Sequence, residues 1–197
     1  QRMQKAMSLS IAGDGALQVS RKAIDIFKSP VKTAMDFEAQ MAKVGAVSRA
    51  TNSDMGRLTQ TARKLGATTT FSASQAAQGM EFLGMAGFST GEIIKTMPGL
   101  LNLAKAGTLG LGKASDIASD IMSGFGLKAE DMGPISDVLT ATFTRSNTTL
   151  GMLGETMKFV APVAKTAGLS IEETSAFAGI LANSGIKASQ AGTTLRA

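Results

Sequence analysis

Apolar residues recur three and four positions apart along most of this chain, and the alternating runs that a strand needs are scarce. The pattern predicts an almost entirely helical protein. Met3 and Met7 open a first helical segment, which meets Gly13-Asp14-Gly15, a break or loop. A second helix is predicted over Leu17 to Lys28, with Ile24 and Phe27 on one face. Ser29-Pro30 then supplies a cap followed by proline at the first helical position. From there Val31, Ala34, Phe37, Met41, Val44 and Val47 carry an apolar stripe toward Ser48. The stripe is narrow, as in a helix pair or a coiled-coil-like arm, with packing on the rest of the chain as the competing reading. Ile24, Phe27, Val31, Phe37, Met41 and Val44 are its candidates for self-association.

The pattern changes at the polar, cap-like Thr51-Asn52-Ser53-Asp54. A helix through Met55, Leu58, Ala62 and Leu65 follows, with Gly66 as its expected end. Helix-ending glycines are then expected at Gly87, Gly107, Gly126, Gly168 and Gly185. The first three gaps are 21, 20 and 19 residues, and the fourth is 42, with Ser146-Asn147 a plausible break near its middle. The stretch "EFLGMAGFSTGEI" shows the device in miniature. Gly87 stops one helix, Ser89 and Glu92 stand at capping-box spacing for the next, and Phe88 and Ile93 occupy the two positions of a hydrophobic staple. Ser72 with Gln75 and Ser170 with Glu173 repeat the capping box.

Short connections between helices favour antiparallel neighbours. The predicted fold is therefore all-α: an elongated, basic, amphipathic helical arm over residues 1–50, then a compact stack of short antiparallel helices joined by glycine turns over residues 51–197. The sequence also resembles itself. "GLKAEDMG" at 126–133 matches "GIKASQAG" at 185–192 with an offset of 59, and Ser115, Ile117, Ala118 and Ile121 match Ser175, Phe177, Ala178 and Leu181 with an offset of 60. Duplication and convergent packing both explain this. Dense Gly, Ala, Ser and Thr allow close helix approach but leave little apolar area to bury. With 12 Met, 9 Phe and neither Trp nor Tyr, the expected core is thin and methionine-rich. Phe71, Phe82, Phe88, Phe125, Phe143, Phe159 and Phe177 are read as core or staple residues.

Charge and chemistry change this picture little. The formal charge is +5, but residues 1–65 carry 11 basic and 5 acidic side chains, so the excess belongs to the N-terminal third. Arg21, Lys22, Lys28, Lys32, Arg57, Arg63 and Lys64 lack interleaved aromatic platforms, and no specific nucleic-acid site is predicted. There is no Cys or His, which removes disulfides, thiol nucleophiles, imidazole bases and the commonest zinc ligands. "LGLGKAS" at 109–115 lacks phosphate-loop spacing. Glu172 and Glu173 suit the first turn of a helix, and Asp116 and Asp120 suit a wet face. The expectation is no enzyme, no metal and no cofactor. No run of 18 apolar residues or signal peptide appears, and a fragment of a longer chain is expected.

Three segments carry a family resemblance. "DFEAQMAKV" at 36–44, "ARKLGATTTFSASQAAQGMEFLGMAGFS" at 62–89 and "APVAKTAGLSIEETSAFAGILANSGIKASQAGTTLR" at 161–196 are similar to the shared region of phage tail tape measure proteins. The likeness covers roughly residues 33–197. It implies a long helical virion protein lying in several copies, as a trimer or hexamer, in the tail lumen, where its length sets the length of the tube. It also implies partners: tail tube and baseplate or tip proteins, assembly chaperones in the host cytoplasm, and the host membrane during ejection. A membrane-active role for the Gly/Ala/Met-rich segment 93–127 is the alternative, against which Lys95, Lys105 and Lys113 argue.

Overall fold

Every regular element among the described residues, 30–197 of the computed structural model, is helical. Ile24, Phe27, Arg21, Lys22 and Lys28, with the helix expected over Leu17 to Lys28, lie outside them. Helix α1 covers residues 30–48. It is followed by α2 (Asn52–Thr68), α3 (Ala73–Met85), α4 (Thr90–Ala106) and α5 (Leu111–Phe125). A 3-10 turn at Ala129–Asp131 then leads into α6 (Met132–Arg145), α7 (Leu150–Thr166), α8 (Ile171–Asn183) and α9 (Ala188–Arg196). The chain forms two compact units, Gln1–Ala39 and Gln40–Ala197, which divide inside α1. In the first unit Phe37 is buried, whereas Val31 and Met35 are 58% and 64% exposed.

Within the second unit, helices two apart in sequence make the most extensive contacts. The pairs α3–α5, α5–α7 and α7–α9 form one row, and α4–α6 and α6–α8 form another. From α3 onward sequence neighbours touch less, while α2 packs closely on α3. The reason is chemical: the short links only reverse the chain, while the small-residue faces are turned toward the next helix pair. In the first row the N-caps are Ser72, Gly110, Thr149 and Lys187, at spacings of 38, 39 and 38 residues. The structural repeat is thus a two-helix unit of about 39 residues, a stacking of supersecondary units in which each contacts its neighbours. The sequence likeness at offset 59 does not follow it. Gly126 and Gly185 end helices of opposite rows, so "GLKAEDMG" and "GIKASQAG" share local turn chemistry and not a place in the stack.

The core carries few rings. Its largest fully buried side chains include Leu58, Met80, Leu83, Ile93, Met97 and Leu100, with Met122, Met132 and Leu139 further along. Phe125 is buried, but Phe177 is 45% exposed on α8, contrary to its reading as core or staple. At the start of the second unit, Met41 and Val44 are buried and Gln40 Nε2 donates to Glu81 Oε2. A Cβ on Gly84 would stand 2.8 Å from Val47, so the end of α1 lies close against α3.

Candidate functional site

The recurrent chemistry of this chain is a stop-and-start motif: glycine, apolar residue, cap. Gly87-Phe88-Ser89, Gly126-Leu127-Lys128 and Gly168-Leu169-Ser170 all use it, and in each the glycine has positive φ, at 90°, 70° and 77°. The apolar residue's N–H closes the preceding helix, from Phe88 to Leu83 O at 3.1 Å, Leu127 to Met122 O at 2.8 Å and Leu169 to Ala164 O at 2.9 Å. These are the long bonds of Schellman caps, which satisfy carbonyls that a helix end leaves free. Gly185, with φ 89°, does the same through Ile186 and Leu181.

In the second row α4, α8 and the 3-10 turn that leads into α6 each begin on a carboxylate three residues past the cap. The backbone N–H groups of Ser89, Lys128 and Ser170 donate to Glu92 Oε2, Asp131 Oδ2 and Glu173 Oε2 at 2.8, 2.7 and 2.9 Å. Ser72 and Gln75 form the same box at the start of α3. The Lys128–Asp131 member escaped the sequence reading because lysine is no cap former by type; the Gly-Leu before it was the available signal. The hydroxyl and N–H of Ser89 hold the Glu92 carboxyl below the ordinary carboxylate range. That group therefore stabilises the fold above its unfolded pKa, and the contribution fades as pH falls through the lower, folded value. Ser89→Ala is expected to cost about 1 kcal/mol in urea melts at neutral pH. The deficit should shrink as the pH is lowered through the carboxylate range.

One expected helix end lies elsewhere, and another, at Gly107, takes a different cap geometry. Gly66 sits inside α2, which continues to Thr68. There a Cβ would meet the backbone N of Ala73 at 2.5 Å, so the position serves close approach rather than termination. Gly107 caps α4 in right-handed geometry, and Thr108 takes the left-handed position instead, with φ 54°. Leu109 N–H then bonds Ala104 O at 3.0 Å, so the cap forms one residue later than glycine alone suggests.

The first row is held by small residues in a fixed register. The fifth residues of α3, α5, α7 and α9 are Ala77, Ser115, Gly154 and Gly192, all buried. Ser115 Oγ reaches Gly79 O at 3.5 Å, and a Cβ on Gly154 would stand 2.7 Å from Ile117. A Cβ on Gly192 would stand 2.9 Å from Thr156 O. In all three the fifth residue meets the seventh of the helix before. Of these positions only Ser115 stood out in the sequence, for its match to Ser175 and not for this contact, because a small residue on one helix face carries no mark of the partner it faces.

The charged groups are dispersed. Asp116, Asp120 and Glu172 are exposed, as are Lys95, Lys105 and Lys113. Arg57 lies 3.7 Å from Asp54, and Lys95 pairs with Glu130 across the start of α6. Among the described residues, no group of acidic side chains is placed to hold a metal ion, and no helix is long and apolar enough to cross a membrane.

Comparison with known proteins adds the following. Residues 59–197 match the family model described as phage-related minor tail protein. The chain is 45% identical over 166 residues to the tape measure protein of Pneumococcus phage Dp-1, covering 84% of this chain and 14% of that protein. It is 34% identical over 146 residues to the "Probable tape measure protein" of Escherichia phage P2, covering 74% of this chain and 18% of that protein. The chain thus spans well under a fifth of the length of these relatives. No solved structure matches it.

Proposed function

Because the chain belongs to the phage tail tape measure family, we propose that it is the folded helical module of a protein that sets tail length and scaffolds assembly of the tail tube. The 45% identity over most of the chain is the observation that carries this reading. The role is structural rather than enzymatic. In it, copies associate as a trimer or hexamer within the tail lumen, tube subunits and baseplate or tip proteins assemble around them, chaperones hold the chain in the host cytoplasm beforehand, and the protein leaves during genome ejection. The exposed Val31, with Met35 exposed one turn on, supports a self-association stripe that would also include Ile24 and Phe27, whereas Phe37 is buried. Met41 and Val44 are buried within their own unit and are left to packing there.

A repeated two-helix unit with a thin Leu/Met core suits a part that must fold, associate and later yield. Its stability is spread over many small interfaces rather than one large core. The test is genetic. In a phage that encodes this chain, in-frame removal of residues 40–197 is expected to abolish tails of normal length, read by electron microscopy of lysates. Virions with unchanged tails and undiminished plating would overturn the proposal.

A further inference from the structure

The two rows of the stack are not equally tight where the α5/α6 pair meets the α7/α8 pair. On the first row, α5 and α7 approach closely at two places: a Cβ on Gly154 would stand 2.7 Å from Ile117, and one on Gly124 would stand 2.7 Å from Ala161. These contacts follow the same order along both helices, so α5 and α7 run parallel and are clamped at two points. On the second row, Gly179 of α8 makes a less extreme approach, though still a tight one: a Cβ there would stand 3.3 Å from Ser146 Oγ at the end of α6. An open groove of about 400 Å³ runs along the α6–α8 seam, and a second of about 420 Å³ follows it at the α7–α8 link, where Phe125 of α5 and Lys165 of α7 also line it; Glu172 lines both. Val138 and Ile180 line one, and Ile135 and Leu169 the other.

A buried, unpaired hydroxyl lies in the same seam, as another does at Thr96 on α4. Ser175 is fully buried on α8, lines the first groove, and its hydroxyl has no hydrogen-bond partner. A buried hydroxyl left unpaired costs free energy that a small opening to water recovers. The preceding junction of this row differs. There α4 comes within 2.8 Å of the Met132 backbone at a Cβ built on Gly99, and Lys95 pairs with Glu130 across it.

We propose that this junction is a hinge: α5 and α7 form its fixed edge, and the α6–α8 seam is the mouth that opens and closes. The two helix pairs then rock about the glycine contacts of the first row, and the stack changes curvature at this place. Small sliding and rotation of packed helices is a known mode of such motion. This inference concerns the fold alone and holds or fails apart from the tail role.

The chain contains no cysteine, so engineered pairs label uniquely. Spin labels at the exposed residues Asp137 and Phe177 report on the mouth, Asp120 and Lys158 on the fixed edge, and Asn102 and Thr144 on the α4–α6 junction. Labelled chain is diluted into unlabelled chain so that only distances within one molecule are read. The expected result is a distance distribution about twofold broader across the mouth than across either control, since frozen solutions trap the conformers of a rocking junction. Equal widths in all three would overturn the proposal. A second measurement fills the mouth. Ser175→Val removes the unpaired hydroxyl, and Ala176→Leu adds bulk from the open side of the groove. At least one of them is expected to narrow the mouth distribution toward the controls, and failure of both to do so would equally count against the hinge.

Discussion

Gly154→Ala is expected to destabilise the chain by about 1–3 kcal/mol, although alanine is the better helix former by about 1 kcal/mol. The sign is decided by what the new methyl meets. At Gly154 it would fall 2.7, 3.0 and 3.0 Å from the Cγ1, Cδ1 and Cγ2 atoms of Ile117, so no rotation of that branched side chain clears all three. Gly56 is the internal control: it is exposed on α2, and nothing lies within 4 Å of its would-be Cβ. Gly56→Ala should therefore stabilise by about 0.4–1 kcal/mol, mostly through the unfolded state. A double-mutant cycle makes the argument specific. Ile117→Ala alone should cost about 2–5 kcal/mol by leaving a cavity, because Ile117 is only 6% exposed. Combined with Gly154→Ala, the total loss should fall below the sum of the two, since the added methyl enters the emptied space. Urea unfolding followed by circular dichroism reads all four variants. A stabilising Gly154→Ala, or strict additivity, would contradict the close-approach account.

What was legible in the sequence was mostly local. Capping depends on residues three apart, so Ser72, Ser89 and Ser170 with Gln75, Glu92 and Glu173 could be read without knowing any tertiary contact, and so could the all-helical class. The glycines at 87, 126, 168 and 185 also carry their own signal, because a left-handed residue next to an apolar one is short-range geometry. Gly66 and Gly107 show the limit of that signal. Composition does not distinguish a glycine required by φ from one required by a neighbour, and Gly66 answers to Ala73 rather than to a helix end. The stack was harder to read. Its unit of about 39 residues is written in small residues at the fifth helical position, where Ala, Ser and Gly are interchangeable, while the visible likeness at offset 59 belongs to turns. The apolar stripe was divided in the same way: Val31 stays exposed while Met41 and Val44 are buried, a partition set by tertiary burial and not by periodicity.

That difference between apparent and structural repeat leads to an experiment on length. Deleting residues 110–148 joins Leu109 to Thr149, whose hydroxyl accepts the Met152 N–H at 3.2 Å and so keeps the cap of α7. The deletion removes one two-helix unit, and α7 arrives where α5 had been, with a small fifth residue to set against α3. The expected product is helical and monodisperse and unfolds in one sharp transition, at lower denaturant than the parent because one interface of each row is lost. Deleting residues 127–185 instead joins Gly126 to Ile186 and leaves "GIKASQAG" in the place of "GLKAEDMG", an almost seamless junction by sequence. It nevertheless moves α9 from the first row into the second. There the fifth-position Gly192 has neither Thr156 nor Phe159 to meet, and α5 is left with Ile117 and Gly124 uncovered by α7. This product is expected to lose cooperative unfolding and to expose apolar surface, read as a broad transition and binding of a hydrophobic dye. If the 59-residue deletion folded as sharply as the 39-residue one, the two-row stack would not be what holds these helices together.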